Sequence, residues 1–196
     1  MSYAGLQSAT DPNAPHLGGN IRGGDPHTWC PKVWDYVVDR FGVTSVLDFG
    51  SGSGTTALYL HRRGLQVCAV DGLDENLAAS VFPTIKHDVT QGPFISRFDL
   101  IHCQEVVEHI EAASVPHLLQ SFSGAKFVLM THALPGQQGF HHVNLQADDY
   151  WIGQMATEGF SLLQEDTDRI RRIAASERSV YMAQSGLMFA NSKRLA

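Results

Sequence analysis

Short continuous apolar runs alternate with segments of helical period from about residue 31 to the end of this 196-residue chain. Ser45–Phe49, Gln66–Val70, Thr84–His87, Phe98–Cys103 and Lys126–Met130 read as strands, and their unbroken apolar character marks strands buried on both faces of a parallel sheet. Between them, Pro31–Phe41 sets Val33, Trp34, Val37 and Val38 on one helical face and stops at Gly42. Thr55–Arg63 closes at Gly64, Asp74–Ser80 is short, and Glu105–Ser121 is expected as one long helix. Gln146–Glu158 and Thr167–Ala175 are further helices, and Phe160–Gln164 and Ser185–Ala190 the last strands. This alternation implies an open, doubly wound α/β sheet with helices on both faces. The length suits one domain, residues 31–196, preceded by an aperiodic arm or lid over residues 1–30.

Composition narrows the function classes. With 14 basic against 20 acidic residues the net charge is −6, a poor basis for neutralising phosphates, so a nucleic-acid partner is not expected. No apolar run approaches the ~18 residues of a membrane span. The three cysteines, Cys30, Cys68 and Cys103, cannot all pair and show no C-x-x-C spacing; a reducing, cytoplasmic setting is the simplest expectation. Seven of the ten histidines fall between His87 and His142, which points to proton transfer, metal ligation or surface placement.

The first strand runs into Asp48-Phe49-Gly50-Ser51-Gly52-Ser53-Gly54. In a doubly wound sheet, ligands sit at this carboxyl edge. Glycines let the backbone approach a ligand closely, but Thr55 stands where a dinucleotide fingerprint needs its third glycine. Asp48 before the loop repels phosphate and attracts an ammonium group. Asp71, followed by Gly72 and Leu73, ends the second strand about 20 residues on, where an acid accepts bonds from ribose hydroxyls. Asp88 closes the third, in place for an adenine amino group. Three acids at three strand ends, with glycines and no basic residue, suit a nucleoside carrying a cation: S-adenosylmethionine.

At these residues, together with Val70-Asp71-Gly72, His87-Asp88-Val89 and Phe98-Asp99-Leu100-Ile101-His102-Cys103, the chain resembles the class I S-adenosylmethionine-dependent methyltransferases over about residues 30–190. The resemblance implies a single-domain, Rossmann-like fold with a seven-stranded, mostly parallel sheet and an antiparallel last hairpin. It also implies that the Gly50–Gly52 backbone, Ser51 included, lines the methionine moiety. Asp71 would hold the ribose, Asp88 and Val89 flank the adenine, and Gln104 lie beneath the sulfonium.

The segment Glu105-Val106-Val107-Glu108-His109 leaves the fourth strand. At ~100° per helical residue, Glu105, Glu108 and His109 share one arc and the valines the opposite one. Two carboxylates and an imidazole form most of a site for Mg²⁺ or Mn²⁺, unless they are simply a solvated helix face. The fourth ligand is sought in Gly139-Phe140-His141-His142-Val143-Asn144, with His142 favoured. His132 or His141 would serve as base. The motif resembles metal-dependent 2′-O-methyltransferases acting on small-RNA 3′ ends and quinone-biosynthesis O-methyltransferases. The wider pattern, with Tyr150-Trp151-Ile152, resembles small glycan-associated methyltransferases. It implies O-methylation of a glycan or small polar acceptor, with RNA as the rival and turnover-free cofactor binding as a third reading. Asp25, His27 and Trp29 in the arm are candidate acceptor contacts, or caps and core. Arg169, Arg171 and Arg172 are either a solvated face or contacts for an acidic acceptor. The sequence leaves the oligomeric state open.

Overall fold

The computed structural model describes residues 9–19 and 21–195. Seven strands, β1 (Ser45–Phe49), β2 (Gln66–Asp71), β3 (Thr84–Lys86), β4 (Leu100–Cys103), β5 (Phe127–Met130), β6 (Phe160–Leu162) and β7 (Leu187–Asn191), form one sheet in the order β3-β2-β1-β4-β5-β7-β6. The first five are parallel; β7 inserts antiparallel between β5 and β6. The final antiparallel pair is therefore present, but two helices separate its members. The helices are α1 (Pro31–Phe41), α2 (Thr55–Arg62), α3 (Asp74–Ala79), α4 (Val115–Phe122), α5 (Asp148–Thr157), α6 (Gln164–Glu177) and α7 (Val180–Ser185). No helix among the described residues is long and apolar enough to cross a membrane, and Cys30, Cys68 and Cys103 are all free thiols.

Alternation along each strand builds two cores. Leu47, Ile101, Cys103, Val128, Met130, Leu187 and Phe189 face one side, where α4 contributes Leu118 and Phe122 and α5 contributes Trp151 and Met155. Val46, Leu100, Phe127, Leu129, Met188 and Ala190 face the other, against Val33, Trp34 and Val37 of α1 and Ile170 and Ala174 of α6. Both faces are thus covered, which is why the strands are apolar throughout.

Two expectations are corrected. Glu105–Ser121 is not one helix: Glu105 has φ 54°, and 3-10 turns at Val107–His109 and Ala112–Ser114 precede α4. Pro116 explains the break, because in a helix interior its ring would clash with the preceding turn, whereas the first turn of α4 accepts it. The strand expected from Ser185 begins only at Leu187, after α7. The arm is more ordered than its composition implies, with a 3-10 turn at Pro15–Leu17. Its residues 1–8 and 20 lie outside those described.

Asp99 ties the parallel strands at their amino ends. Its Oδ2 accepts from Thr44 N and Oγ1 (2.9 and 2.6 Å) and Ser45 N, and its Oδ1 pairs with Lys126 at 2.9 Å. Burial disfavours its charge, but Lys126 and Thr44 outweigh that and hold the carboxyl far below its ordinary range. A depressed folded pKa stabilises above the unfolded value of 3.8 and is lost as pH falls. Asp99→Ala should cost ~2–3 kcal/mol near neutrality. Urea melts should show that gap closing in acid.

Candidate active site

The strand order reverses between β1 and β4, and a cavity of about 790 Å³ opens at the carboxyl edge there. The loop after β1 is held to β2 by Gly50 N and Ser51 N, which both donate to Val70 O (2.8 and 3.0 Å). Gly50 has φ 72°, and a Cβ there would lie 2.3 Å from Val106 Cγ2, so any other residue would be strained and would displace Val106. Asp71 organises this end: Oδ2 accepts from Gly52 N (2.8 Å), and Oδ1 accepts from Leu73 N (2.9 Å) and Asn76 Nδ2 (3.0 Å). Burial raises its pKa despite those bonds.

Asp48, Gly50, Ser51, Gly52, Asp71, Gly72, Val89 and Gln104 all line the cavity. Leu73 and Asp88 do not. Leu73 is buried and serves Asp71 through its amide. Asp88, expected at an adenine, accepts instead from His16 Nε2 of the arm (3.1 Å) and from Thr90 N and Oγ1. Burial disfavours its charge, but the Thr90 and His16 bonds prevail and its pKa falls. The arm then runs along the cavity. Leu17 packs on Gly72, and Gly19 approaches the His109 ring so closely that a Cβ would lie 2.8 Å from Cε1.

At the far end, Glu108, His109 and His142 each offer a ligand atom, all within 4.8 Å of one another. Glu108 is 0% exposed and neither carboxylate oxygen has a hydrogen-bond partner. His109 Nδ1 is also buried and unpartnered, and the His109 and His142 rings stand 5.1 Å apart. Burial lowers both imidazole pKa values, that of His109 to about 4, so both are neutral at physiological pH. Glu105 lines the same cavity beside Glu108 but is not one of the trio. Its amide donates to Thr131 Oγ1, which donates back to Oε1 (2.8 and 2.7 Å). Burial pushes Glu105 and Glu108 both upward, and each sits near the other.

The proposed bases move away from the site. His132 is buried on the opposite face, its Nε2 bonded to Asp148 (2.9 Å), which also pairs with Arg171 (2.8 Å). The residue before it in the extended chain points the other way, so Thr131 reaches Glu105 of the cavity wall from behind. His141, at φ 49°, lies beside Phe140 and does not line the cavity. Among the arm candidates, Asp25 lines it, with Oδ2 accepting from Tyr181 OH (3.0 Å). His27 stands edge-on to Tyr181, and Trp29 packs on Trp34 and Tyr59, both outside the lining. His16, His102, Tyr181 and Gln184 line the cavity without having been singled out, and Thr131 supports it from behind through Glu105. The clue for Thr131 was its place right after the fifth apolar run.

A methyltransferase-domain family model matches residues 21–167. No curated protein sequence matches the chain significantly. Among solved structures, a SAM-dependent methyltransferase from Archaeoglobus fulgidus superposes with a TM-score of 0.61 at 15% identity, covering 86% of this chain and 95% of that one. Magnesium protoporphyrin IX methyltransferase from Synechocystis with bound SAH gives 0.61 at 15%, covering 85% and 84%. A S-adenosylmethionine-dependent methyltransferase from Clostridium acetobutylicum gives 0.59 at 12%, covering 71% and 82%. With its model matched over three-quarters of the sequence, its strand order and its glycine loop, the chain belongs to the methyltransferase-domain family and is a class I S-adenosylmethionine-dependent methyltransferase.

Proposed function

We propose that the protein is a divalent-metal-assisted O-methyltransferase whose acceptor is a hydroxyl of a glycan, sugar or small polar metabolite. The observation that carries this reading is the trio Glu108, His109 and His142, whose ligand atoms gather at the cavity wall. A buried carboxylate without a hydrogen-bond partner beside two neutral imidazoles is a donor set that fits a divalent cation. Of Mg²⁺ and Mn²⁺, two imidazoles favour Mn²⁺. Such an ion lowers the pKa of a hydroxyl, which otherwise is a poor nucleophile near neutrality.

S-adenosylmethionine supplies a methyl group on a sulfonium leaving group. On this reading Asp71 holds its ribose, the Gly50–Gly52 backbone its methionine moiety, and Gln104, whose amide atoms are buried and unpartnered, lies near the sulfonium. The proton of the acceptor hydroxyl passes to Glu105, since neither His132 nor His141 lines the cavity. Thr131 orients that carboxylate, and the raised pKa makes it a stronger base. Asp25 and Tyr181 flank the acceptor, and the arm closes over the cofactor.

The lining supports an uncharged acceptor. Asp25, Asp48, Asp71, Glu105 and Glu108 contribute carboxylates, and no Lys or Arg is found among the described lining residues. Phosphorylated acceptors and RNA are disfavoured accordingly. The test offers labelled S-adenosylmethionine with neutral glycosides, polyols and a small-RNA 3′ end, in chelator and with Mn²⁺ restored. Transfer to a neutral hydroxyl that chelator abolishes and Mn²⁺ restores is expected. Full activity in chelator rejects the metal, and methyl appearing on RNA alone moves the acceptor class.

A further inference from the structure

We propose that His102 is a positioning residue that locks the Asp48 carboxylate as the receptor for the α-ammonium group of the cofactor's methionine moiety. Asp48 on β1 and His102 on β4 are register partners in neighbouring parallel strands, so their side chains leave the same face of the sheet. His102 Nδ1 meets Asp48 Oδ1 at 2.8 Å, and Trp34 Nε1 of α1 meets His102 Nε2 at 3.2 Å. An indole nitrogen only donates, so Nε2 accepts, the proton resides on Nδ1, and Nδ1 donates to Asp48. The direction of every bond in this chain is thereby fixed. All three side chains are buried, with Asp48 2% exposed.

One carboxylate oxygen is therefore committed, while Asp48 Oδ2 is buried without a partner at the cavity wall. A buried anionic oxygen demands a charged or hydrogen-bonding partner. Because the described lining offers no Lys or Arg, the cation has to arrive with the ligand. Without the Nδ1 donor the carboxylate is free to turn away from the cavity, and the receptor is lost. The inference rests on the cavity being the cofactor site.

Calorimetry with S-adenosylhomocysteine and with its deaminated analogue, in which hydrogen replaces the ammonium, separates the possibilities. His102→Leu should weaken S-adenosylhomocysteine about tenfold, the scale of one charge-assisted hydrogen bond, and leave the analogue within about twofold. His102→Asn, whose amide replaces the Nδ1 donor, should restore most of the loss. Trp34→Phe removes only the indole N–H and should show the same selectivity to a smaller degree, which keeps the test decisive if the leucine variant does not fold. Equal weakening of both ligands would make His102 merely structural and overturn the inference, as would native affinity in the leucine variant. Failure of the unmodified protein to bind S-adenosylhomocysteine would overturn the cofactor site itself.

Discussion

Glu108→Gln is expected to abolish Mn²⁺-dependent methyl transfer while leaving the fold intact. The two side chains have the same shape, so packing against the 3-10 turn is kept, but the carboxylate that would bind the cation is gone. Even groups one shell out from a metal change affinity by ~10–100-fold, so a direct ligand should cost at least ~10²-fold in Mn²⁺ affinity. Cofactor affinity should survive, since those contacts come from other strand ends. Metal-free stability gives a second readout. Burial raises the Glu108 pKa far above its ordinary 4.5, so the unfolded chain releases that proton before the folded one does. Metal-free wild type should therefore lose stability as pH rises above about 4.5. The glutamine variant should show a shallower slope in thermal melts with chelator. Gly139→Ala tests the same trio from the other side. A Cβ at Gly139 would lie 2.1 Å from the His142 ring, so the imidazole must swing away and Mn²⁺ affinity should fall without loss of cofactor binding. Unchanged Mn²⁺ affinity and transfer in both variants would remove the metal from the mechanism.

The sheet and the glycine loop were legible because both are local signals: β1 is an unbroken apolar run, and Gly50, Gly52 and Asp71 stand at fixed offsets from it. The metal-ligand candidates were legible by residue type but for an incorrect geometric reason. Glu105, Glu108 and His109 were placed on one helix, but Glu105 adopts φ 54°, and the 3-10 turn that follows carries only Glu108 and His109 into the trio. Glu105 is drawn to Thr131. What brings His142 to His109 is a loop more than 30 residues later, and no local period encodes that meeting. The same holds for His16 on Asp88 and for Tyr181, which lies on a six-residue helix too short to show periodicity. His132 lies outside the cavity lining because strand alternation sets it opposite Thr131 and turns it to Asp148.

Asp71→Asn should weaken S-adenosylhomocysteine by ~2–4 kcal/mol, about 30-fold to 1000-fold, through two additive causes. On the proposed role of Asp71, the charged acceptor for the ribose hydroxyls is removed. In addition, Gly52 N, Leu73 N and Asn76 Nδ2 all donate to this carboxylate, so an amide NH₂ meets at least one donor and the glycine loop shifts. Asp88→Asn is the matched control. That carboxylate lies outside the cavity lining and answers to His16 and Thr90, so its loss should stay within about threefold. Calorimetry on both variants checks the contrast, and native affinity in the Asp71 variant would place the ribose elsewhere.

A cavity rich in carboxylates and without Lys or Arg in its described lining also biases turnover. The donor enters carrying a sulfonium charge and leaves as a neutral thioether. Each ionised carboxylate ~7 Å away attracts the entering form by roughly 2 kcal/mol at an effective dielectric of 20, and that attraction vanishes once the methyl has gone. Spent cofactor should therefore be held more weakly than fresh, a contrast that calorimetry with the two forms reads directly. The same field opposes the chemical step, because the sulfonium charge is already dispersing at the transition state. A cation held by Glu108, His109 and His142 would reduce that opposition where the methyl moves and would lessen the preference for fresh cofactor by the same interaction, so its charge would set the balance between transfer and release.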